Sequence, residues 1–195
     1  MEIRVEPTRL DGVVVVETDF VRDERGFFVE TWHARRFAEH GLAYEFVQDN
    51  HSRSGRGVLR GIHYQDLTAP MTKLVRCTAG CVFDAVVDLR VGSPTFAQWI
   101  GVDLSAANMR QLLVPVGFGH AFLTLTDGAE VQYKCTNYYT PAAEAGLAWN
   151  DPDIGIEWPI GAAPILSPRD RRAPSLAQYL RQPVFTYPAP DARPR

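Results

Sequence analysis

The chain has 195 residues, 46% of them hydrophobic, and carries a net charge of −3 with a pI near 5.9. That length buries one sizeable core and is short for two, and the composition excludes disorder, collagen-like and repeat architectures. The acidic balance excludes the global basic field of a nucleic-acid polymer binder, so any bound phosphate must be held by a local arginine cluster.

The first residues, Met1 to Glu6, lack an apolar signal core, and no apolar run is long enough to cross a bilayer. The expected location is therefore the cytoplasm. Cys77, Cys81 and Cys135 form no CxxC pair, and an odd count in a reducing compartment predicts strand-packed thiols rather than a disulfide framework or a zinc site.

Taken in chain order, short apolar runs recur between turn signals at 13–18, 26–30, 46–52, 58–64, 72–77, 81–89, 96–104, 110–114, 121–125 and 129–136. Many strands at this spacing predict a mainly β sandwich, jelly roll or barrel. Helices are few. One is expected from near Trp32 to His40 with Thr31 as N-cap and Gly41 as stop, and another after Ser175, ending at Pro183. Residues 1–183 read as one domain, and 184–195, with Pro188, Pro190 and Pro194, as an irregular tail.

Two turn signals place residues on faces. Asp127-Gly128 predicts a two-residue hairpin that pairs Phe122 with Tyr133 and puts His120 and Tyr133 in one cavity. Thr78-Ala79-Gly80 predicts a three-residue hairpin pairing Lys73 with Ala85, so that Lys73 shares a face with Val75, Cys77 and Phe83. A lysine on such a face needs a task or a partner, because its ammonium must be desolvated. Asp84 falls on the opposite face by the same count and reads as a structural or partly solvated carboxylate.

Arg60 and His63 lie three apart on one strand, which strict alternation sends to opposite faces. Gly61 between them marks a bulge that lets both reach one cavity. From this segment alone, His63 is equally a core histidine satisfied by a carbonyl and a functional one. Pro115-Val116-Gly117-Phe118-Gly119-His120 resembles the second histidine motif of the cupin barrels. Metal-binding cupins add a His-x-His pair and a carboxylate, whereas the matching region here is His63-Tyr64-Gln65, so the expectation is a cupin-like jelly-roll barrel with a few short peripheral helices and no metal.

The resemblance then narrows. Asp23-Glu24-Arg25-Gly26-Phe27-Phe28, Gln48-Asp49-Asn50-His51-Ser52, the segment 60–65, Ser93-Pro94-Thr95-Phe96, Tyr133 with Thr136-Asn137-Tyr138-Tyr139, and Trp149-Asn150-Asp151-Pro152 together resemble the dTDP-4-dehydrorhamnose 3,5-epimerase family. The match runs from about Ile3 to Leu180, and the order and spacing of motifs that are weak singly make it specific. It implies a cofactor-independent isomerase that inverts the carbons beside the ketone of a dTDP-linked 4-keto-6-deoxy sugar. His63 would be the base, Asp170 its orienting partner, Lys73 the holder of the ketone oxygen, and Tyr133 the proton donor from the opposite face. Arg25, Glu30, Gln48, Asn50, Arg60, His120, Glu144 and Arg169 would line the nucleotide and sugar pocket, with Tyr138 an aromatic beside the base. Arg169 departs from the family's usual lysine before the aspartate, and the spacing after Glu144 is slightly irregular. The resemblance also implies a homodimer through exchanged strands.

Three other readings compete. A relative inverting only C3 or only C5 shares the His63, Lys73 and Asp170 pattern, although retention of Tyr133 favours the double epimerase. A non-catalytic sugar-nucleotide binding barrel would need the arginines but not a base, lysine and tyrosine together. A metal-dependent cupin oxygenase would need the missing ligands.

Overall fold

The computed structural model describes residues 1–187. The chain opens with β1 (Ile3–Pro7) and β2 (Val14–Thr18), then an exposed hairpin of β3 (Phe20–Asp23) and β4 (Gly26–Val29), then helix α1 (Ala34–Glu39). The body follows as β5 (Gln48–Ser54), β6 (Leu59–Gln65), β7 (Lys73–Ala79), β8 (Cys81–Asp88), β9 (Trp99–Ser105), β10 (Gln111–Val114), β11 (Phe118–Thr124) and β12 (Ala129–Cys135). A short edge strand β13 (Glu144–Gly146), a 3-10 turn at Asp170–Arg172 and helix α2 (Leu176–Tyr179) come last.

The strands form two antiparallel sheets, β1-β2-β10-β7-β12-β5 and β13-β6-β11-β8-β9. Val75, Cys77, Leu112 and Val131 of the first face Val82, Val86, Phe118 and Phe122 of the second in one buried cluster. Two sheets closing on a shared apolar core make a cupin-like jelly roll. Outside the first sheet, Leu74 and Leu113 pack under Phe37 of α1, and outside the second, Ile62, Tyr64 and Val87 pack under Leu147, Leu176 and Tyr179. The central strand β11, covered on both faces, is buried at every position, including His120 and Thr124.

Neither expected hairpin forms a ladder. β12 pairs with β5 and β7, β11 with β6 and β8, and β7 with β10 and β12. The two tight turns instead carry the chain from one sheet to the other at the same end of the sandwich. There Thr126 Oγ1 accepts the Cys81 N–H at 3.1 Å and donates to the Gly128 carbonyl at 2.9 Å. Gly80, at φ +70°, lies so close to the Gly128 carbonyl and Thr126 hydroxyl that a Cβ there has no room. Backbone contact at this end thus requires a glycine for a reason other than hairpin geometry.

Local signals fix other details. His33, not Thr31, caps α1, while Trp32 packs on Phe37 and Phe46. Ser175 caps α2 in a reciprocal capping box with Gln178. The Ser93-Pro94-Thr95-Phe96 motif proves architectural: the Ser93 and Thr95 hydroxyls and the Arg90 guanidinium all donate to the fully buried Asp88 carboxylate. The expected tail is corrected at its start. Phe185 is buried against Tyr64, its N–H bonds to the Tyr179 hydroxyl at 3.1 Å, and Thr186 bridges Val91. Pro188, Pro190 and Pro194 lie outside the described residues.

Candidate active site

The mouth of the sandwich opposite the tight turns holds a cavity of about 490 Å³. Its placement follows from strand parity. On β12 and β7 the inward row is Val131, Tyr133, Cys135 and Lys73, Val75, Cys77, so Tyr133 and Lys73 continue the core row into the cavity. On β11 the inward row is Phe118, His120, Phe122, so His120 enters from the facing sheet. His120 and Tyr133 do share one cavity, but across the sandwich rather than along a hairpin.

Gly61 acts as expected. His120 opposes His63 on β6, whereas Phe122 opposes Arg60, so three steps on β6 match two on β11. This extra residue brings both Arg60 and His63 to the cavity. Gly61 has φ +123°, and a Cβ there would lie 2.5 Å from Ala121 Cβ and 2.6 Å from the His120 carbonyl oxygen. Gly61→Ala is expected to destabilise the fold by about 3 kcal/mol through strain and overpacking. A denaturant midpoint moved by less than about 1 kcal/mol equivalent would contradict this.

His63 is held from the edge. The segment before the 3-10 turn runs beside β6, with Leu59 N–H bonded to the Ile165 carbonyl at 3.0 Å and Ile165 N–H to the Gly57 carbonyl at 2.8 Å. It delivers Asp170, which is buried, to 2.6 Å from His63 Nε2. The Ser167 hydroxyl accepts the Asp170 N–H at 3.0 Å. Burial pushes the Asp170 carboxyl up, but the hydrogen bond and charge of His63, with Ser167 and Arg169, outweigh it and hold the group below its ordinary 3.8. A carboxylate only accepts, so Nε2 carries the shared proton and Nδ1 is the nitrogen left for a reacting group.

Lys73 has no hydrogen-bond or ion-pair partner among the described residues, and its Nζ lies 5.7 Å from the Tyr133 ring centroid. Burial pulls the ammonium below its ordinary 10.5, opposed by Cys135, Glu144 and Asp84. The Tyr133 phenol is pushed above 10.0, first by burial and then by Cys135, against a hydrogen bond from Asn50. A half-buried cation with no ion-pair partner, beside a phenol that keeps its proton, is chemistry awaiting a negative oxygen.

At the rim, Glu144 on β13 accepts from the two terminal nitrogens of the Arg169 guanidinium, one at 2.9 Å, and from the Tyr139 hydroxyl at 2.6 Å. These contacts outweigh burial and keep the Glu144 carboxyl below 4.5. The irregular tract at 141–146 is therefore the turn into a short strand that pairs Gly146 with His63. Gln48 and Asn50 lie on the inward row of β5 with Ser52, bonded to each other at 3.0 Å, and Gln48 also accepts the Tyr139 N–H.

Three expected site residues stand elsewhere in this chain. Arg25 sits at the tip of the β3–β4 hairpin, 83% exposed and bonded to Asp23. Glu30 pairs with Arg36 at 2.9 Å. Tyr138 is exposed, and Tyr139 beside it lines the cavity. Sequence reasoning also missed Asp84. It is fully buried, faces inward, and both its oxygens lie within 3.0 Å of His120 Nε2. Among the described residues no group of three or more His, Cys, Asp or Glu is placed to hold a metal ion.

A jelly roll whose cavity joins a histidine–carboxylate dyad, a half-buried lysine and a protonated tyrosine defines an acid–base isomerase of the cupin-like class. The family model for dTDP-4-dehydrorhamnose 3,5-epimerase matches residues 7–178, and the chain belongs to that family. It is 51% identical to the dTDP-4-dehydrorhamnose 3,5-epimerase of Salmonella typhimurium over 174 residues, covering 89% of this chain and 95% of the relative. A dTDP-4-dehydrorhamnose 3-epimerase of Streptomyces niveus is 42% identical, covering 90% and 85%. The dTDP-6-deoxy-D-glucose-3,5-epimerase of Legionella pneumophila, solved with dTDP-4-keto-L-rhamnose, superposes with a TM-score of 0.92 at 44% identity, covering 96% of this chain and all of that one.

Proposed function

We propose that this chain inverts C3 and C5 of a dTDP-linked 4-keto-6-deoxy hexose, without a cofactor. The observation that carries this reading is the convergence of His63, Lys73 and Tyr133 on one cavity with Asp170 behind His63. Carbon beside a ketone has a pKa of roughly 20 against about 6.5 for histidine, a gap of roughly 13 units or about 18 kcal/mol. A lone base does not bridge that gap. His63 takes the proton through Nδ1 while Asp170 holds Nε2–H and stabilises the imidazolium. Lys73 supplies the cation to the enolate oxygen as it forms. Tyr133 returns a proton to the opposite face, and the same steps repeated at the second carbon complete the reaction.

The other residues of the cavity, with Gln48 and Asn50 beside it on β5, bind. Arg60 and Arg169 present planar guanidinium groups suited to diphosphate oxygens, and Glu144, His120, Gln48 and Asn50 offer partners to the sugar and base. Arg25 and Glu30 belong to the hairpin segment, whose Val21, Phe27 and Phe28 are exposed. An apolar ribbon that is solvated on both sides calls for a cover, and we assign that cover to a second copy of the chain, which places Arg25 at the partner's site. Sedimentation is expected to give a dimer, and Phe27→Asp with Phe28→Asp a monomer of reduced activity. A monomeric, fully active natural chain would contradict the assignment. The three unpaired cysteines suit a cytoplasmic setting.

The test is product stereochemistry. With dTDP-4-keto-6-deoxy-glucose as substrate, proton couplings in the NMR spectrum of the product are expected to report inversion at both carbons. Inversion at one would make this chain a mono-epimerase like the Streptomyces niveus relative, and inversion at neither would refute the reading.

A further inference from the structure

Asp84 is a charge that the His63–Tyr133 exchange does not use. It is fully buried on β8, and His120 Nε2, at 2.9 and 3.0 Å from its two oxygens, is its one hydrogen-bond donor among the described residues. A carboxylate taken from water is costly unless charge and hydrogen bonds compensate it, so a core of this kind retains one only for a purpose. Its surroundings suggest that purpose. Asp84 opposes Phe122 on β11, one inward position from His120, and His120 opposes His63 across β6. His120 and Lys73 line the same cavity.

Because the Asp84 oxygens only accept, His120 must present Nε2–H to them, which leaves Nδ1 as the ring nitrogen available to a ligand. We propose that Asp84 is a positioning residue of the epimerase site: it fixes the His120 ring through Nε2–H, so that Nδ1 is held toward the cavity beside Lys73, where the ketone becomes an enolate. This inference rests on the function proposed above. It assigns a second His–Asp pair a task distinct from proton abstraction.

A double-mutant cycle tests it, read as kcat, KM and dTDP affinity for Asp84→Asn, His120→Gln and the pair. Asp84→Asn keeps the shape and an accepting oxygen but removes the charge. The expected result is a fall in kcat on the order of 10²-fold with KM and dTDP affinity nearly unchanged, and little further fall when His120 is already replaced. A kcat within threefold of the natural chain, or an equal fall in both backgrounds, would overturn the proposal in favour of a core staple. Long-range proton–nitrogen NMR of the natural chain needs no variant: His120 is expected to carry its proton on Nε2, and a ring protonated only on Nδ1 would overturn it. Should the natural chain itself exchange no substrate proton, the proposed function falls, while the His120 tautomer still decides the geometry of this pair.

Discussion

Replacing His63 by alanine is expected to lower the rate of substrate proton exchange by on the order of 10⁴-fold while dTDP affinity changes by less than about threefold. The reason is the separation of tasks in the cavity. His63 is tied through Nε2 to Asp170 at 2.6 Å, whereas the Arg60 guanidinium, proposed above as a diphosphate partner, is bonded to Ser54 at 3.0 Å and not to that dyad. Exchange followed by NMR and affinity followed by calorimetry separate the two quantities. A parallel loss of dTDP binding would make His63 a ligand contact instead of a base.

The second large effect is expected at Lys73. Lys73→Met should lower kcat by about 10²- to 10³-fold, the range for removing one preorganised donor from a developing oxyanion. The same substitution should raise the melting temperature. In the free protein Lys73 is half-buried, its ammonium partly desolvated with no hydrogen-bond or ion-pair partner among the described residues, and Met fills similar space without a charge to desolvate. Gain of stability with loss of activity is the mark of a group held in place for the reaction. A fall in both would show that Lys73 holds the fold. Because burial pulls the Lys73 ammonium below 10.5, the cation is lost as pH rises through that depressed value, and kcat should decline on the alkaline side earlier than for a solvated lysine.

The strands were legible because half-buried and fully buried runs end at turn residues, and the Gly61 bulge was legible because only an extra residue lets Arg60 and His63 meet. Sheet order was not. Asp127-Gly128 and Thr78-Ala79-Gly80 do reverse the chain, but a turn signal reports a reversal and not which ladder follows it. Here the apolar rows are satisfied by crossing the sandwich, with the two turns packed on each other through Gly80 and Gly128. That difference explains the error at Asp84. Pairing Lys73 with Ala85 inverted the faces of β8, and the strand offered no contrary signal because Val82 and Val86 on one face and Ala85 and Val87 on the other are all buried. In fact Phe83 points outward against Trp99 and Trp158, over Gly101, which has no side chain to obstruct it.

Edge elements were missed for a related reason. β13 is three residues long and derives its form from pairing with β6, not from its own sequence, although it carries Glu144 to the rim. Phe185 sits in a proline-rich stretch that reads as a tail, and only the aromatic groove between Tyr64 and Tyr179 gives it a place. Among the site residues, His63, Lys73 and Tyr133 were candidates from strand and turn pattern and took their roles from resemblance, whereas Asp170 was reached through resemblance alone, because the distance of 107 residues between His63 and Asp170 left no local pattern to join them.

The central claim is a two-sided proton exchange in which one group removes the substrate's hydrogen and another supplies a different one. Its most direct test is the reaction of dTDP-4-keto-6-deoxy-glucose run in heavy water and followed by NMR. The account predicts that every inverted C3 and C5 carries deuterium, since Tyr133 exchanges with solvent between turnovers. Inverted carbons that retain their original hydrogens, or no incorporation at either position, would contradict it.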